Sequence, residues 1–364
     1  MDILITGSVF GAGLVTSGMY QPYLLSSQFA LTEWNMAQTF FTATGCGALS
    51  LEILYRLGYA VPPPRSWSWT GITACAMDGN IIGGLILGAG MALSASCPGM
   101  VFPQLALGIP TAPAIVAGAS VGGIFWAAVL RPCMESRRKR SAIAMTVKSK
   151  QPETTFADAL GMRHTTALLC FEAVLTSLVM VAATTASTAP APVHPVVGGL
   201  VIGGAQIVSL VVRGSLLGAS TCYEQVGDWI VWMAKAGYRK QEQEKQPQQQ
   251  QQQQQQRPGT SAILFAAAMV AGAWLLARLR PEVALFEGQQ QAMLGAPSPA
   301  TAFAGGLLMA VGSRMAGGCA SGHGISGMAL MSMSSLVTMA SVFAAAMGVS
   351  KLTAIVDMSR GSYM

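Results

Sequence analysis

Apolar residues in this chain gather into long uncharged stretches separated by short polar ones; they neither alternate nor keep to one helical face. Stretches of about 18 to 25 residues suit a helix that crosses about 30 Å of hydrocarbon at about 1.5 Å per residue. The pattern predicts spans over 2–19, 36–58, 71–93, 111–131, 165–188, 195–217, 260–279, 300–317 and 327–349. The expected fold class is therefore all-α: a polytopic membrane protein of about nine transmembrane helices. The short alternating segments of an outer-membrane barrel do not occur. The first stretch lacks a basic region before it and reads as a first span, not as a cleaved signal.

The pattern repeats. GGLILGAGMALSASC at 83–97 and GGLLMAVGSRMAGGC at 305–319 match without gaps, so that Gly83 pairs with Gly305, Gly84 with Gly306, Leu85 with Leu307, Gly90 with Gly312 and Cys97 with Cys319. Near the N-terminus, Gly11, Leu14, Ser17 and Tyr20 match Gly214, Leu217, Ser220 and Tyr223 at a smaller offset. A glutamine-rich insertion accounts for most of the change. Four spans, one connecting helix and four more spans then give two copies of one unit in opposite orientations, an architecture common in transporters. The expected organisation is a first transmembrane repeat at 1–134, a basic cytoplasmic loop at 135–163 and a connecting helix at 164–189. A second transmembrane repeat at 190–364 follows, interrupted by a disordered Gln-rich linker at 239–259.

Composition supports the membrane reading: 52% of residues are hydrophobic and only 10% charged, a balance hard to keep in water. The net charge of +6 lies mostly in loops and reads as a topology signal, so no nucleic-acid partner is expected. Segment 131–163 carries Arg131, Arg137, Arg138, Lys139, Arg140, Lys148, Lys150 and Arg163 against three acids, which places it in the cytoplasm. The basic 235–257 segment and the loop holding Arg65 then fall inside as well. Arg278, Arg280, Lys351 and Arg360 fall outside and oppose this orientation. The expected location is the plasma membrane, as a multi-pass integral protein. The seven cysteines are odd in number and scattered, unlike a secreted disulfide framework.

Candidate chemistry centres on Cys97 and Cys319. A lone cysteine in a membrane helix is usually packing. These two sit at equivalent places beside helix breakers, Pro98 with Gly99 and the run from Gly317 to Gly327. Irregular backbone at membrane depth is tolerated only where it is buried in protein or lines a cavity, so short re-entrant or broken helices are expected there. Cys222 matches Met19 and would place a third thiol on one side only. Arg314 is a charge in an apolar stretch, either facing the pathway or snorkelling to the interface. Amides of Gly317, Gly318, Gly322 and Gly324 suit close approach to an anion. His323 follows Cys319 by four residues, but no matching Cys-His set appears in the first repeat, so neither metal nor cofactor is expected. Phosphate-loop and serine-nucleophile motifs are also lacking.

GSRMAGGCASGHGISG at 312–327, with SASCPGM at 94–100, SGMYQP at 17–22, GGLVIGGAQ at 198–206 and LLGASTCYEQVG at 216–227, resembles the YeeE/YedE family of sulfur transporters, which includes thiosulfate uptake proteins. The resemblance implies an hourglass of helices with cysteines along a narrow central path, and Cys97 and Cys319 match its central pair. It implies a transporter of thiosulfate or a related small anion, not an enzyme, working in the lipid bilayer, with a soluble sulfurtransferase as a candidate partner. Family members commonly carry another cysteine near the N-terminal motif, where this chain has Met19 and Tyr20. Two alternatives remain open: a membrane sulfurtransferase forming a persulfide on Cys319, and a channel for another small anion such as sulfite or formate.

Overall fold

The computed structural model describes residues 1–73, 75–144, 154–185, 193–243, 257–284 and 297–361. Helices dominate them. In chain order they are α1 (Asp2–Thr16), α2 (Pro22–Phe29), α3 (Asn35–Arg56), α4 (Asp78–Ser94), α5 (Val101–Ala106) and α6 (Ala112–Phe125). A wide π-turn, Trp126–Leu130, joins α6 to α7 (Arg131–Ala144), and α8 (Phe156–Leu160), α9 (His164–Thr185), α10 (Pro195–Arg213) and α11 (Thr221–Gln243) follow. The chain continues through α12 (Ser261–Leu279), α13 (Pro281–Ala284), α14 (Pro299–Ala316), a second π-turn at Ser321–Gly327 and α15 (Met333–Gly361). Among the described residues there is no strand, only an isolated bridge between Thr155 and Ser332.

Each apolar stretch read from the sequence is helical, and five helices are long and apolar enough to cross a membrane. α1 and α4 are apolar but shorter. α3 falls short on hydropathy because its buried face carries Gln38, Thr39 and Thr44. The last stretch begins as a helix only at Met333, since Ser321–Gly327 is wound as a π-turn. The basic run expected as loop from 135 is helical through Ala144, because Arg, Lys, Ala and Glu are good helix formers whatever their charge. α11 is unanticipated: Glu224, Asp228 and Lys235 break its hydropathy without breaking its helix. Most of the glutamine tract lies outside the described residues.

The helix pairings exchange the two halves. α1 packs on α12 and α10 on α3; α14 packs on α6 and α15 on α4; α1 meets α10 and α4 meets α14. The α4–α14 crossing lies at the centre and brings backbone against backbone. A Cβ added at Gly83 would lie 2.8 Å from the Gly312 carbonyl oxygen, and one at Gly312 would lie 2.7 Å from that of Gly83. Likewise Gly90 meets the Gly305 oxygen at 2.7 Å and Gly305 meets that of Gly90 at 2.8 Å. Small residues allow this approach, the usual basis of tight helix packing in lipid. α9 instead packs mainly on α3 and leaves Leu169, Val174, Met180 and Val181 exposed, an apolar surface suited to acyl chains. The N-terminal match is looser, since Gly11 is buried within α1 whereas Gly214 caps α10.

Candidate functional site

Both cysteine loops begin in the same way. α4 ends at Ala95 (φ +49°) and α14 ends at Gly317 (φ +84°), each a left-handed cap two residues before its cysteine. A left-handed residue reverses the chain at a helix C-terminus. The loops thereby turn back toward each other. Gly99 faces Ala219 and the Ser321 hydroxyl, and one cavity wall contains Cys97, Gly99, Ala320 and Ser321 together.

The Cys97 loop is anchored from three sides. Ser96 donates to Gln104 Oε1 (2.7 Å), Gln104 Nε2 donates to the Tyr20 carbonyl (2.9 Å), and Tyr223 donates to the Pro98 carbonyl (3.1 Å) while its ring stacks on Phe102. Cys97 Sγ accepts from the Met100 amide at 3.4 Å, which leaves its S–H to donate elsewhere. Beside it lies a cavity of about 60 Å³ walled by Met19, Met91, Met100, Phe10, Phe29 and further apolar side chains. Sulfur and aromatic rings give this side a soft, polarizable surface.

The Cys319 loop has polar surroundings. Cys319 is 1% exposed, its Sγ lies 3.3 Å from Ser321 Oγ, and the Ser220 hydroxyl and Gly322 amide also face it. His323 spends both ring nitrogens inside the protein. Nε2 meets the Ala316 carbonyl oxygen at 3.1 Å and must donate, so Nδ1 accepts from Ser335 at 3.0 Å. The imidazole thus clamps the end of α14 and backs Gly318, whose Cβ would lie 3.0 Å from it.

Of the other residues singled out from sequence, Gly322 faces the Cys319 thiol, while Gly324 turns toward α3, where an added Cβ would strike the Phe40 ring. Cys222 is buried beside them and donates its S–H to the Ala219 carbonyl at 2.9 Å. Arg314 is paired: Nη1 meets Glu224 Oε2 at 2.7 Å and Nη2 donates to Ser220 Oγ at 2.6 Å. Glu224 in turn lies 3.5 Å from Arg131, which also pairs with Asp228. Arg314 therefore reaches Cys319 through Ser220. Sequence reading treats Arg65 only as a loop charge, yet it lies at the Cys319 loop, where Nη1 donates to the Gly317 carbonyl at 3.0 Å. No sequence signal joins residues so far apart. Among the described residues all seven cysteines are free thiols, and no three metal-ligating side chains cluster.

A family model for sulphur transport matches residues 16–348, nearly the whole chain. Comparison with curated proteins found none that matches. The chain belongs to the sulphur transport family and, with its membrane-length apolar helices, is an integral membrane transport protein.

Proposed function

Taking membership of the sulphur transport family as the premise, we propose that this protein carries thiosulfate, or a closely related small sulfur anion, along a central path past Cys97 and Cys319. The observation that carries the reading is the meeting of two equivalently capped cysteine loops at Gly99 and Ser321, beneath a sulfur-lined cavity. The exchanged helix pairings support two inverted copies; in this reading all nine apolar stretches span the bilayer and the basic segments lie in the cytoplasm. The plasma membrane is the proposed location.

Thiosulfate has a soft terminal sulfur at one end and a charged sulfonate at the other. Thioethers and the Cys97 S–H suit the first, through dispersion and a weak sulfur hydrogen bond. The hydroxyls of Ser220 and Ser321 and the amides of the Gly317–Gly322 turn suit the second. Cys222, with its S–H already committed to Ala219, holds the base of α11 in place. Several weak contacts in series favour passage over retention, because an ion held too tightly cannot leave.

The test is uptake of radiolabelled thiosulfate by proteoliposomes containing the full chain, with Cys97→Ala and Cys319→Ala as variants. Wild type is expected to accumulate label, and each variant to fall to the level of empty vesicles while inserting normally. Full uptake by both variants overturns the thiol path. Uptake of formate or sulfite in place of thiosulfate, unaffected by thiol alkylation, points to a channel for another anion.

A further inference from the structure

We infer that Arg65 is the anion-binding cation of the pathway, holding the oxyanion end of the substrate at the inner face of Cys319. This rests on the reading of the site as a sulfur-anion path, and it adds a residue from the loop between α3 and α4.

Arg65 is delivered to the site and fixed there. Pro62, Pro63 and Pro64 stiffen the approach, and the Arg65 carbonyl accepts from Ser332 (3.0 Å) and Ser334 (2.9 Å). The side chain then runs through a slot left by three glycines. A Cβ at Gly327 would lie 3.1 Å from its Cδ, one at Gly318 2.8 Å from Nη1, and one at Gly322 3.1 Å from Nη2. That same point at Gly322 is 3.8 Å from Cys319 Sγ. Guanidinium and thiol therefore share one small face of the π-turn.

Its charge is also uncompensated, unlike that of its neighbours. Arg314 and Arg131 share Glu224 and Asp228, two cations with two carboxylates. No carboxylate of the described residues forms an ion pair with Arg65; its buried Nε has no hydrogen-bond partner, as is also true of Nε in Arg131 and Arg314, so the missing carboxylate is what sets Arg65 apart. Among the described residues its guanidinium donates one hydrogen bond, to a neutral carbonyl, that of Gly317. A partly buried, unpaired charge is costly, and an arriving anion relieves that cost. The planar fork of a guanidinium fits two oxygens of an oxyanion side by side. With the thiol adjacent, the ligand class is an anion that carries sulfur at one end and oxygens at the other.

A purely structural role as a cap on the Gly317 carbonyl makes different predictions, which Arg65→Gln and Arg65→Lys separate. In proteoliposomes Arg65→Gln should raise the half-saturating thiosulfate concentration at least about tenfold, equivalent to roughly 1.4 kcal/mol of binding. Arg65→Lys should recover part of that loss by restoring charge without the fork. In parallel, the melting temperature of the detergent-solubilised full chain is followed with thiosulfate, sulfite and sulfate. An oxyanion that raises it in wild type should fail to do so in Arg65→Gln. A lowered starting temperature with the anion response and half-saturation intact would mean that Arg65 is only a cap. If wild type moves no thiosulfate, the transport reading fails by itself, and the melting experiment still decides Arg65. No oxyanion response in wild type overturns the inference.

Discussion

The loops that carry Cys97 and Cys319 share a position in matching sequence stretches and share a left-handed cap, yet their surroundings differ in kind. Cys97 faces methionines and phenylalanines and is met by backbone amides alone, those of Met100 and Gly99. Cys319 faces hydroxyls and a backed glycine turn, with two guanidinium groups beyond them, Arg314 paired with Glu224 and Arg65 bound to the Gly317 carbonyl. The backbone device is duplicated, and the chemistry around it has diverged. Under the proposed function, a ligand with unlike ends would meet a different half of its own chemistry at each thiol, which would give the proposed path a sense of direction that two identical surroundings could not.

The sharpest way to break the comparison is to attack what the halves share. Gly90→Leu or Gly312→Leu should leave little monodisperse protein in a detergent size-exclusion assay. Overpacking ordinarily costs about 1–3 kcal/mol, and here the atoms struck are backbone that cannot rotate aside. Normal yield from either variant would mean that the crossing is not the structural centre.

Serine substitution probes the difference between the halves. Cys319→Ser places a hydroxyl among hydroxyls and should keep measurable thiosulfate uptake, whereas Cys97→Ser loses a soft contact in an apolar wall and should fall further, by roughly tenfold, or about 1.4 kcal/mol. Equal residual uptake in the two variants would erase the proposed division of labour. The smallest effect concerns the caps. Ala95→Gly should raise stability by up to about 1 kcal/mol, since a left-handed residue with a Cβ is strained. Gly317→Ala should lower it by about 1–2 kcal/mol, since its added Cβ finds room 3.8 Å from Ser68 and meets only the conformational penalty. Shifts of the same sign in denaturation midpoints would show that the two caps are not equivalent.

Much of the fold was legible because hydrocarbon thickness sets helix length and leaves a long apolar stretch for each span. α2 and α5, with eight and six residues, are too short to leave such a mark. α11 hides because Glu224 and Asp228 meet partners inside the protein, on Arg314 and Arg131. At the site, Cys97 and Cys319 stand out because duplication repeats their context. Arg314 looks like a bare charge in sequence because its counterion lies on another helix. Arg65 is invisible as a site residue, since its hydrogen-bond partner lies 252 positions away and a loop arginine after prolines has an ordinary explanation as a topology signal.

The glycine crossing also limits how this chain can change over generations. Duplication normally frees one copy of a sequence to drift while the other holds the original task. Here Gly83 rests on the carbonyl of Gly312 and Gly90 on that of Gly305, so bulk gained by either copy lands on main chain belonging to its sibling. Drift is therefore vetoed jointly at the crossing and permitted individually beyond it. The glycines at the contact points, Gly83 with Gly305 and Gly90 with Gly312, are the same in both stretches, whereas Ala95 against Gly317 and Met19 against Cys222 differ outside those contacts.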